Sequence, residues 1–117
     1  MNPQQKPGQL RQTAEALIAA VNAFDVERTL RLFTPDAVID DPSTGHRFDG
    51  HAGVRKYIEE YFIGYQTVTR LLSLRRLTSD IARVRVSFTG TFGHETGLLE
   101  ISVDSGGLIT RIDATLE

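Results

Sequence analysis

The sequence predicts an α+β fold in which three helices come first and four long strands follow. Two observations predict this class. Apolar residues recur at a spacing of three and four up to residue 64, whereas the chain after it consists of long runs rich in valine, isoleucine, leucine, threonine and phenylalanine. Short links separate those runs, as is typical of antiparallel hairpins. Helices followed by strands indicate a curved sheet packed against the helices.

Apolar periodicity defines the three helices. A single apolar face predicts the first helix over residues 9–24. Asp25 is suited to cap a second helix over residues 25–33, and Pro35 would end that helix because proline disfavours the helical conformation in the residue before it. The same three-and-four spacing predicts the third helix over residues 52–63.

The remaining segments predict a short hairpin and a four-stranded meander. The turn chemistry of residues 42–45 joins a strand at residues 37–41 to a return strand at residues 46–48. The four long strands are predicted at residues 66–78, 81–92, 95–104 and 108–116. Because only short links separate these strands, we expect neighbours in the sequence to pair in antiparallel order.

Two adjacent carboxylates, Asp40 and Asp41, end the first short strand immediately before Pro42. Side chains alternate along a strand, so these two are expected to point to opposite faces, one of them inward. A carboxylate that faces an apolar interior loses solvation, which raises the pKa of such a group and suits it to proton transfer. Asp41 can instead have a structural role, as the cap of the following turn at Ser43 or Thr44.

The composition fits one domain of 117 residues with a net charge of −2. We expect a flexible tail at residues 1–8 and a single domain at residues 9–117. Basic residues are mostly scattered and no apolar run is long enough to span a bilayer, so neither a nucleic-acid partner nor a membrane is predicted. The chain has no cysteine and its histidines show no metal-binding spacing, so no metal site is predicted. A cytoplasmic location is the default expectation.

Four motifs carry a family resemblance: residues 22–25 (NAFD), residues 32–38 (LFTPDAV) with Asp41-Pro42, residues 48–55 (FDGHAGVR) and residues 107–113 (GLITRID). With them the chain resembles the nuclear transport factor 2-like (NTF2-like) superfamily, in particular its ketosteroid isomerase and SnoaL-like polyketide cyclase branches. The resemblance implies a cone-shaped barrel, in which a strongly curved, mainly antiparallel sheet wraps around the helices and encloses a deep apolar pocket. It also implies a homodimer, an apolar small-molecule ligand or substrate, and no cofactor.

The ketosteroid isomerases resemble this chain at Asp41. In those enzymes an aspartate directly before a proline moves a proton next to a ketone, which implies the same role for Asp41. Their two oxyanion donors, a tyrosine and a protonated aspartic acid, fall here at Leu17 and Leu99. Loss of one such donor commonly costs on the order of 10²-fold to 10³-fold in rate. Efficient steroid isomerisation by the isomerases' own mechanism is therefore not expected.

The SnoaL-like cyclases resemble this chain at Asp113, since they carry an acid/base aspartate on the last strand. Strand parity sets Arg111, Asp113 and Thr115 on one face, which is either a solvated outer face or a wall of the pocket. The resemblance favours the pocket, where Arg111 would steady an enolate or a carboxylate. Limonene epoxide hydrolases also use an aspartate there, but the rest of their catalytic set cannot be located, so epoxide hydrolysis ranks below cyclisation or isomerisation.

The sequence thus predicts an isomerase or cyclase that transfers a proton beside a carbonyl in an apolar pocket. Asp41 would be the base, and Asp113 with Arg111 or Tyr57 a second acid/base or electrostatic partner, although Tyr57 also fits a core aromatic. The alternative is a non-catalytic domain that binds an apolar ligand or supports an assembly. The predicted substrate-binding residues are expected to belong to the core first and to the pocket wall second. They are Leu17, Val21, Val54, Phe62, Val84, Val86, Phe88 and Leu99.

Overall fold

The computed structural model describes residues 8–117, so the predicted flexible tail, apart from Gly8, lies outside the described residues. The described chain has three α-helices, which are α1 (Gln9–Asn22), α2 (Val26–Leu30) and α3 (Gly50–Ile58). Its six strands are β1 (Phe33–Asp41), β2 (His46–Asp49), β3 (Val68–Arg76), β4 (Ile81–Gly90), β5 (Gly93–Val103) and β6 (Ile109–Leu116). A 3₁₀ turn at Pro42–Thr44 joins β1 to β2, and a π-helical turn at Glu59–Ile63 continues α3.

The strands form one sheet in the order β2-β1-β6-β5-β4-β3. Neighbouring strands are antiparallel except for β1 and β6, which are parallel. The α+β class, the three helices and the mainly antiparallel sheet are therefore confirmed, and the sheet is open, with β2 and β3 at its edges. The pairing of β1 with β6 was not predicted. It connects the N-terminal hairpin to the meander and sets Asp40 opposite Asp113.

The prediction that Pro35 ends the second helix is wrong. Phe33 already pairs with Ile109 of β6, and Pro35 lies inside β1. The register between β1 and β6 shifts between Phe33 and Val38, so Pro35 lies in an irregular part of the ladder. Proline lacks the N–H that a regular ladder requires and is tolerated at such irregularities. Its effect on the local conformation is therefore compatible with a strand as well as with the end of a helix.

Asn22, the last residue of α1, protects the free edge of the sheet. Its side-chain Nδ2 donates to the Thr69 carbonyl at 2.8 Å, and the Thr69 N–H donates to its Oδ1 at 2.7 Å. The amide thus occupies the place that a neighbouring strand would take beside edge strand β3. Three residues later Asp25 caps α2 as predicted, because its carboxylate accepts from the Arg28 N–H at 3.0 Å.

The hydrophobic core lies between the sheet and the two longer helices. α1 packs on β3 and β4, α3 packs on β1 and β2, and buried residues of both helices belong to the same hydrophobic core. Val54, Val84 and Val86 are completely buried in this core, and full burial of a valine contributes roughly 1.5–3 kcal/mol. Within residues 8–117 no helix has the length and hydropathy needed to cross a membrane.

Candidate active site

A cavity of about 260 Å³ opens between the end of α3 and the sheet. Its walls come from the end of β1 with the 3₁₀ turn, from α3 with the π-helical turn, and from β4, β5 and β6. All three tyrosines of the chain contribute to it. The lining residues are Asp41, Ser43, Thr44, Tyr57, Tyr61, Phe62, Tyr65, Thr67, Phe88, Phe92, Glu95, Leu99, Ala114, Thr115 and Leu116.

Asp41 points into the fold and lines this cavity, with 8% of its surface exposed, whereas the Asp40 side chain is 40% exposed on the other face. The Asp41 Oδ1 accepts hydrogen bonds from the Ser43 N–H at 3.1 Å and the Ser43 hydroxyl at 2.6 Å. Its Oδ2 accepts one from the Tyr57 hydroxyl at 2.7 Å. Three donors on one carboxyl suit a deprotonated carboxylate, which can only accept. Asp41 therefore caps the 3₁₀ turn with one oxygen and keeps the other beside Tyr57.

Tyr57 holds Asp41 from the buried side of α3. Its ring packs against Phe48 at 5.0 Å and Phe62 at 5.7 Å between centroids. Burial raises the pKa of Tyr57 well above its usual range, and the charge of Asp41 and the hydrogen bond to it raise this pKa further. The Tyr57 hydroxyl therefore stays protonated at neutral pH and acts as a hydrogen-bond donor.

Asp113 and Arg111 lie on the outer face of β6, away from this cavity. The Arg111 Nε donates to both oxygens of Asp113 at 3.1 and 3.0 Å, and its Nη2 donates to Asp40 at 3.3 Å. The hydrogen bonds that Arg111 donates to Asp113, together with the charge of Asp113, raise the pKa of Arg111. This position differs from the prediction that both residues line the pocket. The reason is strand alternation, since β6 turns Ile112 and Ala114 inward and its charged residues outward.

The predicted substrate-binding residues fall into three groups. Three of them line the cavity: Phe62, Phe88 and Leu99. Two line a smaller inner cavity instead: Leu17 and Val21. The other three differ from the prediction, because they are core residues with no exposed surface and line neither cavity: Val54, Val84 and Val86.

The inner cavity lies behind the main one and shares four residues with it: Tyr57, Phe62, Phe88 and Leu99. Its volume is about 30 Å³, which is enough to hold a water molecule. Thr69 also lines it, and among the described residues the buried Thr69 Oγ1 has no hydrogen-bond partner. An unpaired buried hydroxyl lowers stability because it has lost its hydrogen bonds to water.

We expect Thr69→Val to raise the free energy of unfolding by about 1 kcal/mol, because it replaces this unpaired hydroxyl with a methyl group in an apolar cavity. Thr29→Val is the matched control. The Thr29 hydroxyl is buried as well, but it donates to the Asp25 carbonyl at 2.8 Å, so its loss should lower the free energy of unfolding by about as much. Urea unfolding measures both. A destabilised Thr69→Val protein would mean that the hydroxyl has a partner, such as a trapped water.

Four aromatic or charged residues that line the cavity were not predicted as site residues: Tyr61, Tyr65, Phe92 and Glu95. The repeat of tyrosine at every fourth position from Tyr57 was a usable signal for the first two. Phe92 was not identified because the β4–β5 turn was predicted at residues 93–94. In the structure Gly90 pairs with Gly93, so the turn is at residues 91–92. The parity of β5, once its start is known, sets Glu95 on the same face as Leu99.

The histidines do not form a metal site. Within residues 8–117 no group of three or more histidine, aspartate or glutamate side chains is placed to hold a metal ion. The His51 Nε2 lies 3.1 Å from the Phe33 carbonyl oxygen, and the His94 Nδ1 lies 3.1 Å from the Thr89 hydroxyl. Both rings therefore have local structural contacts.

The helices, the sheet order and the cavity beneath the helices define an NTF2-like protein, and solved structures described as NTF2-like share this fold. Within that superfamily the chain belongs to the SnoaL-like domain family, whose model matches residues 14–113. No protein of curated function matches the sequence.

Solved structures show the same fold at low sequence identity. A proposed ketosteroid isomerase from Kribbella flavida DSM 17836 is 22% identical, with a TM-score of 0.81 over 93% of this chain and 78% of its own. A proposed polyketide cyclase from Sinorhizobium meliloti is also 22% identical, with a TM-score of 0.81 over 89% and 94%. SalBIII, an epoxide hydrolase/cyclase-like enzyme of salinomycin pyran-ring formation, is 16% identical, with a TM-score of 0.85 over 97% and 94%. At such identities the likeness establishes the fold alone.

Proposed function

We propose that this protein is an isomerase or cyclase that moves a proton beside a carbonyl group, using its own side chains. One observation carries the proposal: a buried carboxylate, Asp41, lines an aromatic cavity and is held there by the Tyr57 hydroxyl at 2.7 Å. The names of structural neighbours, a ketosteroid isomerase and a polyketide cyclase, support the same reaction class. Charged outer-face residues such as Asp113 and Arg111 have no part in it.

The reaction would begin when Asp41 removes a proton from the carbon next to the substrate carbonyl. The electrons of that C–H bond move to the carbonyl oxygen and form an enolate. In a β,γ-unsaturated ketone the enolate is conjugated, and return of the proton from Asp41 to the γ carbon shifts the double bond and gives an isomer. In cyclisation the enolate carbon attacks a second carbonyl of the same molecule, and the proton passes from Asp41 to the alkoxide that forms. Tyr57 is the positioning residue, because its hydroxyl holds the carboxylate in one orientation.

The enolate oxygen requires a hydrogen-bond donor. Leu17 and Leu99 leave the isomerases' usual donor positions apolar. Tyr61 lines the cavity next to Tyr57, with 5.5 Å between their ring centroids, and its hydroxyl makes no hydrogen bond with residues 8–117. We propose Tyr61 as the neutral donor to the enolate oxygen.

The size of the cavity limits the substrate. Its volume of about 260 Å³ lies just below the roughly 300–1,000 Å³ of pockets that hold drug-sized ligands. We therefore propose a substrate with one or two rings rather than a steroid.

Deuterium exchange tests this proposal. In D₂O we expect the protein to accelerate exchange of the protons beside the carbonyl of 2-tetralone, a two-ring ketone, above the rate in buffer alone. Proton NMR follows the loss of signal, and heat-denatured protein is the control. Binding of 2-tetralone by saturation-transfer NMR without faster exchange would favour the non-catalytic ligand-binding alternative. Hydrolysis of limonene oxide would instead support the epoxide hydrolase alternative.

The homodimer implied by the family resemblance stays a prediction. Static light scattering measures it directly, because the mass of a dimer is twice the 13.0 kDa of the chain.

A further inference from the structure

The cavity contains acidic groups without a basic counterpart. Two carboxylate side chains, Asp41 and Glu95, are among the described residues that line it, and none of those residues is a lysine, arginine or histidine. The chain has 13 lysines and arginines, so this lack does not follow from a shortage of basic residues. A cavity lined in this way disfavours an anionic ligand and favours a cationic one.

Glu95 is the carboxylate at the exposed mouth of the cavity. It is paired with Phe88 across β4 and β5, and it makes no hydrogen bond or ion pair with any residue in the range 8–117. Glu100 on the same strand differs, because it lies on the outer face and binds Arg83 at 3.1 Å. The Glu95 carboxylate therefore faces the cavity mouth and is available to a ligand.

Two aromatic rings lie at the same mouth. Tyr65 and Phe92 are 43% and 41% exposed, and their rings pack edge to face with centroids 5.9 Å apart. The Thr91 N–H donates to the Tyr65 carbonyl at 2.9 Å. A Cβ atom on Gly90 would lie 2.6 Å from that carbonyl oxygen and 2.9 Å from the Phe92 ring, so only glycine allows this close approach. The rings are thus held in place, and aromatic faces attract cations.

We propose that the ligand of this cavity carries a cationic nitrogen, held at the mouth by Glu95 and the rings of Tyr65 and Phe92. This proposal specifies the class of substrate for the candidate active site. The role of the cationic nitrogen in catalysis rests on the proposed function. Proton removal passes the negative charge of Asp41 to the enolate, so the cavity still holds two negative charges, one on the enolate and one on Glu95. A positive nitrogen on the same substrate offsets that charge, so an amino ketone fits the site better than a neutral ketone.

Three probes of similar shape and different charge test the binding part. Choline is cationic, 3,3-dimethylbutan-1-ol is its neutral isostere, and 3,3-dimethylbutanoate is anionic. Because the chain has no tryptophan and its three tyrosines all line the cavity, tyrosine fluorescence reports occupancy. We expect choline to bind about tenfold more tightly than the neutral isostere, and the anion to bind most weakly. Raising the ionic strength from roughly 0.05 to 0.5 M should weaken choline binding alone.

Substitutions test whether the residues at the cavity mouth cause the preference for choline over its neutral isostere. Glu95→Gln and Tyr65→Leu should each reduce the ratio of choline to neutral affinity severalfold, whereas Glu100→Gln on the outer face should leave it unchanged. Equal affinity for choline and its isostere in the unmodified protein, or no saturable choline binding, would overturn the inference. An unchanged ratio in both Glu95→Gln and Tyr65→Leu would overturn it as well.

The two proposals fail in different ways. If the protein exchanges the protons of 2-tetralone but does not bind choline more tightly than its neutral isostere, the proposed function is supported and the proposal of a cationic ligand is wrong. A preference for choline that depends on Glu95, with no exchange of either 2-tetralone or an amino ketone such as tropinone, would leave a binding site for cations and remove the proton-transfer proposal.

Discussion

Asp41→Asn should lower the rate of deuterium exchange about 10²-fold to 10⁴-fold, the usual contribution of a general base. The amide has the shape of the carboxylate but cannot accept the substrate proton. Its oxygen can still accept from Ser43, and the Tyr57 hydroxyl can turn to accept from the amide nitrogen, so the fold and ligand binding should persist. NMR exchange rates and saturation-transfer binding, measured on the same samples, separate loss of chemistry from loss of binding.

Asp40→Asn is the control for this experiment because it makes the same chemical change one residue earlier. The Asp40 carboxylate lies on the outer face and binds Arg111 at 3.3 Å, where both side chains are about 40% exposed. An exposed ion pair of this kind contributes little to stability, so the exchange rate should stay that of the unmodified protein. Retained activity in Asp41→Asn, or an equal loss in both variants, would show that Asp41 is not the base.

Asn22→Ala should lower the free energy of unfolding by about 2–3 kcal/mol. The substitution leaves both the N–H and the carbonyl of buried Thr69 without the partners that Asn22 supplies at 2.7 and 2.8 Å. It also opens the edge of β3 to other strands, so the variant should aggregate more readily during unfolding. Urea unfolding followed by circular dichroism measures the loss.

Gln12→Ala is the control, since it removes an amide from the exposed side of the same helix. Surface substitutions of this type change the free energy of unfolding by less than about 0.5 kcal/mol. If the two variants unfold at the same urea concentration, the Asn22 amide does not stabilise the edge of the sheet.

The elements were predictable where side-chain pattern and local conformation agree. The spacing of apolar residues located all three helices, and the long apolar runs located the four strands of the meander to within a few residues. Pro35 shows the limit of this reasoning. A proline excludes some conformations of the residue before it but does not choose between a helix end and an irregular strand. The pairing of Phe33 with Ile109 decides the outcome here.

Site residues were predictable where strand parity applied to a strand with one apolar face. Alternation along β1 predicted that Asp40 and Asp41 point in opposite directions, and the structure places Asp41 inside and Asp40 outside. The same rule left two possible directions for Asp113. The order of the sheet is needed to show that the polar face of β6 points outward.

Local pattern determines the order of helices and strands and the position of the carboxylate before Pro42, because periodicity and turn chemistry act over a few residues. It does not determine the mouth of the cavity, since Tyr65, Phe92 and Glu95 come from separate segments. They meet because β4 folds back on β5 and α3 ends in a π-helical turn. Contacts between residues distant in the sequence depend on strand pairing, and that pairing is set by the packing of the whole core.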